Sequence, residues 1–221
     1  MLDSSLKTLL QSNALDFASP NEFELEAMGT VARELLGATK DEEDSQVSFP
    51  KELDGVYEKQ EKATRALLRD AFTVSQFIPT LFIKLGSEGV FVVDRIKDKR
   101  ADPSLKRNMQ RFSAHAVDKI ESVTGAGDSF VASVVTSLHQ LAHVQPLLLG
   151  SNSEDENAVE KSFGRLDDNV FWKHLHTIVG DGQTAATLTM QTHQTVSPAL
   201  AHSPQAERVR RQNKLRLTGG R

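Results

Sequence analysis

Val123-Thr-Gly-Ala-Gly-Asp-Ser-Phe130 is a run of small residues that leads into Asp128 and then into a helix-compatible segment. Small residues allow the chain to turn tightly and a ligand to approach the backbone. The free N–H groups and the dipole of a helix start attract anions. Asp128 then has two interpretations, because it either caps the helix or takes a proton from a hydroxyl held beside the anion. Phosphoryl transfer to an alcohol needs such a cradle with a base beside it.

Composition narrows the class of protein. The 221 residues are enough for one large domain or two small ones, and 38% are hydrophobic. Because the chain has no cysteine, disulfides and thiolate metal sites are excluded. The net charge of −4 gives no reason to expect nucleic-acid binding. No apolar run approaches the roughly 20 residues of a membrane span, and the N-terminal residues lack the features of a signal peptide. We therefore expect a cytoplasmic protein away from membranes, with the mitochondrion left open.

Hydrophobic periodicity predicts helices that alternate with strands. The expected strands are residues 14–18, 80–85 and 90–93, and the last two are spaced for a hairpin. The expected helices are residues 3–12, 22–36, 58–72, 170–179 and 182–190, together with one that starts at the Val123–Phe130 motif and runs to about His143. This alternation predicts an α/β layered fold with a mostly parallel sheet.

Between these elements the sequence is polar. Variable loops are expected near residues 38–56 and 150–169, an exposed charged segment at 94–110, and a basic, disordered tail at 201–221. The phenylalanines of the predicted elements are expected in the core rather than as stacking platforms, namely Phe23, Phe72, Phe82, Phe91 and Phe130.

Asn21-Glu-Phe-Glu24 has two interpretations. Its two polar residues are three apart and share a face of a first helical turn, where oxygen ligands suit a hydrated Mg²⁺. The same spacing makes Asn21 an N-cap with Glu24 as its reciprocal partner, which is close to a capping box. Spacing by itself favours the cap.

Two further segments are compatible with a binding site and with simple packing. Lys84-Leu-Gly-Ser-Glu-Gly89 has two glycines three apart between strands, a typical tight turn, and Lys84 either contacts phosphate or is solvated. Gly182-Gln-Thr-Ala-Ala-Thr-Leu-Thr-Met190 is a small-residue helix that is suited to close packing.

In this order, the motifs resemble those of the ribokinase (PfkB) family of sugar and nucleoside kinases. The sequences of these motifs are most similar to those of the pseudouridine kinase branch, which includes kinase regions fused to a pseudouridine-5′-phosphate glycosidase. The resemblance implies a kinase domain over residues 1–200 with a ribokinase-like three-layer fold. It covers only the C-terminal half of such kinases, so that the N-terminal half, with its sugar contact and lid, has no counterpart here.

The resemblance also implies ATP, Mg²⁺ and a sugar or nucleoside as ligands, with the acceptor 5′-hydroxyl losing its proton to Asp128. It implies an anion hole at Gly125, Ala126 and Gly127, and metal organisation by Asn21 and Glu24 through water. The implied nucleotide-binding residues are Lys84, Gly86, Gly89, Thr124 and Gln183.

This chain departs from the family pattern at three positions. Ser122 stands where Asp is frequent, Ser133 where Gly is common and Lys84 where Thr is frequent. The alternative function is a non-catalytic kinase half that binds nucleotide or another chain, such as a separate N-terminal half or a fused glycosidase domain.

Overall fold

A computed structural model of the chain describes residues 2–12, 14–37, 62–95, 107–148 and 168–218. These residues belong to two compact units, Met1–Ser113 and Ala114–Arg221. The loop predicted at 38–56, and residues 150–167 of the second predicted loop, lie outside the described residues. The elements alternate along the first unit as an α/β protein, which confirms the predicted fold class.

The described part of the first unit consists of helices around a four-stranded sheet. Its helices are α1 (Leu2–Gln11), α2 (Glu22–Leu36) and α3 (Lys62–Val74). Its strands are β1 (Phe17–Ala18), β2 (Thr80–Lys84), β3 (Val90–Arg95) and β4 (Arg107–Phe112), which lie in the order β1-β2-β3-β4.

Strand direction in this sheet is mixed. Strand β1 pairs with β2 in parallel, whereas the β2–β3 and β3–β4 pairs are antiparallel. The predicted hairpin is confirmed, with Thr80 opposite Asp94 and Lys84 opposite Val90. The expectation of a mostly parallel sheet is wrong for the described strands. The link from β2 to β3 is a short turn, and a parallel pair needs a crossover of a dozen or more residues.

The charged segment expected at 94–110 is part of the sheet at both ends. Asp94 is 2% exposed, and its Oδ1 accepts a hydrogen bond from the Thr80 hydroxyl at 2.6 Å. Strand β4 was missed because Met109 and Phe112 are its only apolar residues, too few for an alternating pattern. Met109 nevertheless packs against the core.

The core of the first unit lies where β2 meets the helices. Residues Thr80 to Ile83 of β2 are all buried, and burial of each large apolar side chain is worth about 1.5–3 kcal/mol. The buried cluster takes Leu10 from α1, Leu25, Val31 and Ala32 from α2, Ala71 and Val74 from α3, and Leu81, Ile83 and Val93 from the sheet, together with Ile78.

Helices α2 and α3 meet at a buried ion pair. Arg33 Nη1 donates to Asp70 Oδ1, and the Asp70 residue is 4% exposed. Gly29 leaves the room for this carboxylate, because a Cβ at Gly29 would lie 2.6 Å from Asp70 Oδ1. Burial raises the pKa of Asp70 above its ordinary value of 3.8, although the hydrogen bond and charge of Arg33 oppose the rise.

The described part of the second unit is helical. Helices α4 (Ala126–Leu148) and α5 (Asp168–Met190) pack together, and a 3₁₀ turn (Pro198–His202) leads to α6 (Pro204–Thr218). The two helices expected at 170–179 and 182–190 are one continuous helix. Gly182 allows the close contact with α4, since a Cβ there would lie 2.7 Å from the Phe130 ring.

The C-terminal residues also differ from prediction. A disordered tail was expected at 201–221, whereas Pro204–Thr218 form α6. Two polar side chains of its first turns account for the difference, because Gln205 bonds to Ser133 and Ser137 of α4, and Arg208 Nη2 donates to Asp181 Oδ2 of α5. These long-range contacts are not visible in the composition.

Of the five phenylalanines expected in the core, Phe72, Phe82 and Phe130 are buried and Phe91 is partly buried. Phe23 is 81% exposed, so its prediction is wrong. On α2 it is Leu25 that enters the core, and side chains two residues apart on a helix point in different directions. No helix in the described part of the chain is long and apolar enough to cross a membrane.

Candidate active site

The start of α4 is built around the backbone of Gly125. This residue is the N-cap, with a φ of 80°, which lies in the left-handed region that glycine adopts without strain. Its α-carbon faces another loop of the second unit, since a Cβ there would lie 2.0 Å from the Thr195 carbonyl oxygen. Both the conformation and the contact therefore require glycine at this position.

The first turn of α4 presents backbone donors. The Ala126 amide donates to the Val123 carbonyl at 3.3 Å, and the Ser129 amide donates to the Gly125 carbonyl at 2.9 Å. Between them, the amides of Gly127 and Asp128 have no acceptor among the described residues. These are the unsatisfied donors of a helix start, where the dipole favours an anion.

Asp128 does not cap the helix. It occupies the third helical position, Gly125 stands at the N-cap, and the Asp128 side chain is exposed. Its carboxylate has no hydrogen bond or ion pair with any described residue. An exposed carboxylate that has no partner is chemically able to accept a proton.

The segment before the motif is attached to the end of α5. The amides of Glu121 and Ser122 both donate to the Met190 carbonyl, at 2.8 and 3.2 Å. Ser122 Oγ accepts from the Thr124 amide at 3.1 Å, so this serine supports the turn before the motif. The Thr124 side chain is exposed beside the cradle.

In the first unit, Asn21 and Glu24 form the capping box. Asn21 Oδ1 accepts from the Glu24 amide at 2.8 Å, and Glu24 Oε2 accepts from the Asn21 amide at 2.7 Å. The interpretation as a cap is thus confirmed. Glu24 is exposed, and its Oε1 has no partner among the described residues.

Lys84 lies beside this capping box. Its amide donates to the Pro20 carbonyl at 2.8 Å, and its Nζ lies 4.0 Å from Glu24 Oε2. The turn that follows has positive φ at both predicted glycines, 55° at Gly86 and 98° at Gly89. The structure therefore brings Asn21, Glu24, Lys84 and the glycine turn together within the first unit.

The side-chain oxygens of Asn21 and Glu24 are of the kind that bind Mg²⁺ through water. Mg²⁺ keeps several waters and binds through one or two carboxylates plus phosphates, and the free Oε1 of Glu24 is such a carboxylate oxygen. Among the described residues, no group of three or more His, Asp or Glu side chains is placed to hold a metal.

Gln183 is a predicted nucleotide contact whose side chain is buried. It lies on α5 next to Gly182 and is 8% exposed, whereas Asp128 is exposed. Its buried side chain belongs to the packed interior of the second unit, so a nucleotide contact at Gln183 remains a prediction.

Sequence reasoning missed three residues that support the cradle. Thr195 packs on Gly125, Met190 accepts from the preceding segment, and the hydroxyls of Thr189 and Ser129 lie 2.8 Å apart in the interior. No local pattern marks these residues, because each meets its partner about 60 or more positions away in the chain.

Comparison with known proteins identifies a family for this chain. A model of the pfkB family of carbohydrate kinases matches residues 2–201. The chain belongs to this family.

Several solved structures are similar to this pfkB family chain at low identity. They include adenosine kinase from Sinorhizobium meliloti (15% identity, TM-score 0.48, covering 95% of this chain and 40% of that one). Ribokinase from Arabidopsis thaliana, solved with ribose and ATP, is 16% identical with a TM-score of 0.42. The match covers 86% of this chain and 40% of that one. Aminoimidazole riboside kinase from Salmonella enterica is 16% identical with a TM-score of 0.40, and the match covers 88% of this chain and 42% of that one. The chain thus spans about two fifths of these structures. No curated protein matches it.

Proposed function

We propose that this chain carries the phosphoryl-transfer end of an ATP-dependent kinase whose acceptor is an alcohol. The observation that carries the proposal is Asp128, an exposed carboxylate without a partner, beside the free amides of Gly127 and Asp128. Family membership supports a sugar or nucleoside as the acceptor. The amino-acid sequences of the motifs support the 5′-hydroxyl of pseudouridine or a related compound as the acceptor group. The cytoplasm is the expected compartment.

The proposed reaction is one displacement at phosphorus. The acceptor oxygen bonds to the γ-phosphorus of ATP while its proton passes to the Asp128 carboxylate. The bond from the γ-phosphorus to the bridging oxygen breaks, and ADP leaves. The free amides of Gly127 and Asp128 would stabilise the charge on the phosphoryl oxygens, which is the main task in such a transfer.

The first unit is proposed to contribute to nucleotide and metal binding. When bound, Mg²⁺ neutralises charge on the β- and γ-phosphates. Glu24 would hold a water of the metal through Oε1, while Asn21 fixes the Glu24 side chain through the capping box. Lys84, Gly86 and Gly89 remain proposed nucleotide contacts, as do Thr124 and Gln183 of the second unit.

The test compares Asp128→Asn with Asp118→Asn, a change at an exposed Asp in the preceding loop. ADP release is measured with Mg-ATP and pseudouridine, ribose or adenosine, and ADP affinity is measured by calorimetry. Loss of a general base lowers the rate by about 10²–10⁴-fold, so Asp128→Asn should lose turnover and keep ADP binding. Asp118→Asn should behave as wild type.

Turnover by Asp128→Asn within about tenfold of wild type would show that Asp128 is not the base. A wild-type chain that binds ADP without turnover with any acceptor would favour the alternative, a nucleotide-binding half that works with another chain.

A further inference from the structure

Three serines form a buried polar stripe on α4. Ser129, Ser133 and Ser137 are four residues apart, which places them on one face of the helix. Each is 5% exposed. Ser129 lies within hydrogen-bond distance of Thr189 on α5, at 2.8 Å, and Ser137 Oγ donates to Asp181 Oδ2 of α5 at 3.0 Å.

Gln205 of α6 binds the middle of this stripe through both the oxygen and the nitrogen of its side-chain amide. Its Oε1 accepts from Ser133 Oγ at 2.8 Å. Its Nε2 donates to the Ser133 carbonyl and to Ser137 Oγ, both at 2.8 Å. Three hydrogen bonds from one side chain to two successive turns fix both the rotation of α4 and its position along the axis.

Neighbouring groups hold Gln205 in place. It follows Pro204 at the start of α6, where Ser203 Oγ accepts from the Ala206 amide at 3.2 Å. Arg208, one turn further along α6, bonds to Asp181, which also accepts from Ser137.

We propose that Gln205 is a positioning residue for Asp128, an inference that rests on the proposed function. Asp128 precedes the striped face by one residue, so any rotation of α4 about its axis moves the Asp128 carboxylate. Ser133 is five residues from Asp128, about 8 Å along the axis at 1.5 Å per residue. Gln205 therefore acts through the helix and not by contact with the reacting atoms.

The first experiment follows hydrogen exchange in the full chain. Amide exchange in the first turns of α4 is compared for wild type, Gln205→Ala and Arg211→Ala, well below the unfolding temperature. Arg211 is on the same helix, is exposed and pairs with Glu207, so it is a matched control. Exchange at Ser129–Val134 should be at least tenfold faster in Gln205→Ala and unchanged in Arg211→Ala. Unchanged exchange in Gln205→Ala overturns the inference, whether or not the chain is a kinase.

The second experiment asks whether Gln205 acts through Asp128. Turnover is measured for Gln205→Ala in the wild-type and Asp128→Asn backgrounds. A positioning residue should lower kcat at least tenfold in the first background and have no further effect in the second. An equal loss in both backgrounds would show a merely structural role and overturn the inference. No turnover by wild type, with faster exchange in Gln205→Ala, would reject the proposed function but leave control of α4 by Gln205 in place.

Discussion

Gly125 combines two constraints that can be separated by mutation. Its φ of 80° disfavours any side chain, and a Cβ would overlap the Thr195 carbonyl oxygen. Gly37 is the matched control, because its φ is 70° and a Cβ there would meet nothing within 4 Å.

We expect Gly37→Ala to lower the free energy of unfolding by the left-handed penalty alone, about 1–2 kcal/mol. Gly125→Ala should lower the free energy of unfolding by more than Gly37→Ala does, because Thr195 must also move to make room for the new Cβ. Urea unfolding of both variants measures the difference. Equal losses would mean that the contact with Thr195 does not exist in solution.

Asp70 makes the stability of the chain depend on pH. Burial raises the pKa of Asp70 in the folded chain above 3.8, so the folded chain takes up this proton before the unfolded chain as the pH falls. The cost of the buried carboxylate is present above the folded pKa and is lost as the pH falls towards 3.8.

Wild type should therefore gain stability relative to Asp70→Asn as the pH is lowered from neutrality towards 3.8. Urea unfolding of both proteins across this window measures the gain, because Asn does not titrate. A difference between them that stays constant, or that moves the other way, would show that the folded pKa of Asp70 is not raised.

At the scale of the element, the packing of α5 on α4 depends on which glycine faces the partner helix. Gly180 and Gly182 lie on the same helix, two residues apart. A Cβ at Gly180 would meet nothing within 4 Å, whereas one at Gly182 would lie 2.7 Å from the Phe130 ring.

Gly180→Ala should stabilise the chain by about 0.5–1 kcal/mol, the cost of glycine in a helix interior. Gly182→Ala should destabilise it by about 1–3 kcal/mol through overpacking, although it gains the same propensity. Thermal unfolding of the two variants gives the comparison, and a stabilised Gly182→Ala would contradict the contact between α4 and α5.

At the scale of the whole molecule, nucleotide binding can be measured without knowledge of the acceptor. The chain spans about two fifths of the kinase structures to which it is similar. Its catalytic activity is a proposal, but the free amides of Gly127 and Asp128 at the start of α4 are present in the described structure. A ligand that binds only the folded chain stabilises it by mass action.

We expect Mg-ADP at 100 times its dissociation constant to raise the free energy of unfolding by about 2.7 kcal/mol. Asp128→Asn should show the same rise, because it removes the base and not the amides. Mg²⁺ without nucleotide is the control and should give a much smaller rise. If Mg-ADP produces no shift in either protein, both the kinase proposal and its nucleotide-binding alternative are wrong.

Much of the architecture could be predicted because it is encoded locally. The turn at Gly86–Gly89 forces the hairpin, the three-residue spacing of Asn21 and Glu24 closes the capping box, and the small residues before Asp128 open a helix with free amides. Each depends on backbone sterics and hydrogen bonds within a few residues. The sequence by itself thus determined the α/β class, the family and the candidate base.

Tertiary structure decided the contacts between residues that are far apart in the sequence. It made Pro204–Thr218 a helix by pairing Gln205 with Ser133, it placed Thr195 against Gly125, and it left Phe23 exposed. Burial and partner choice are properties of packing, and packing joins residues that no local pattern relates. The helix-opening motif was therefore predictable from the sequence, whereas the contacts that hold α4 in place appear only in the folded chain.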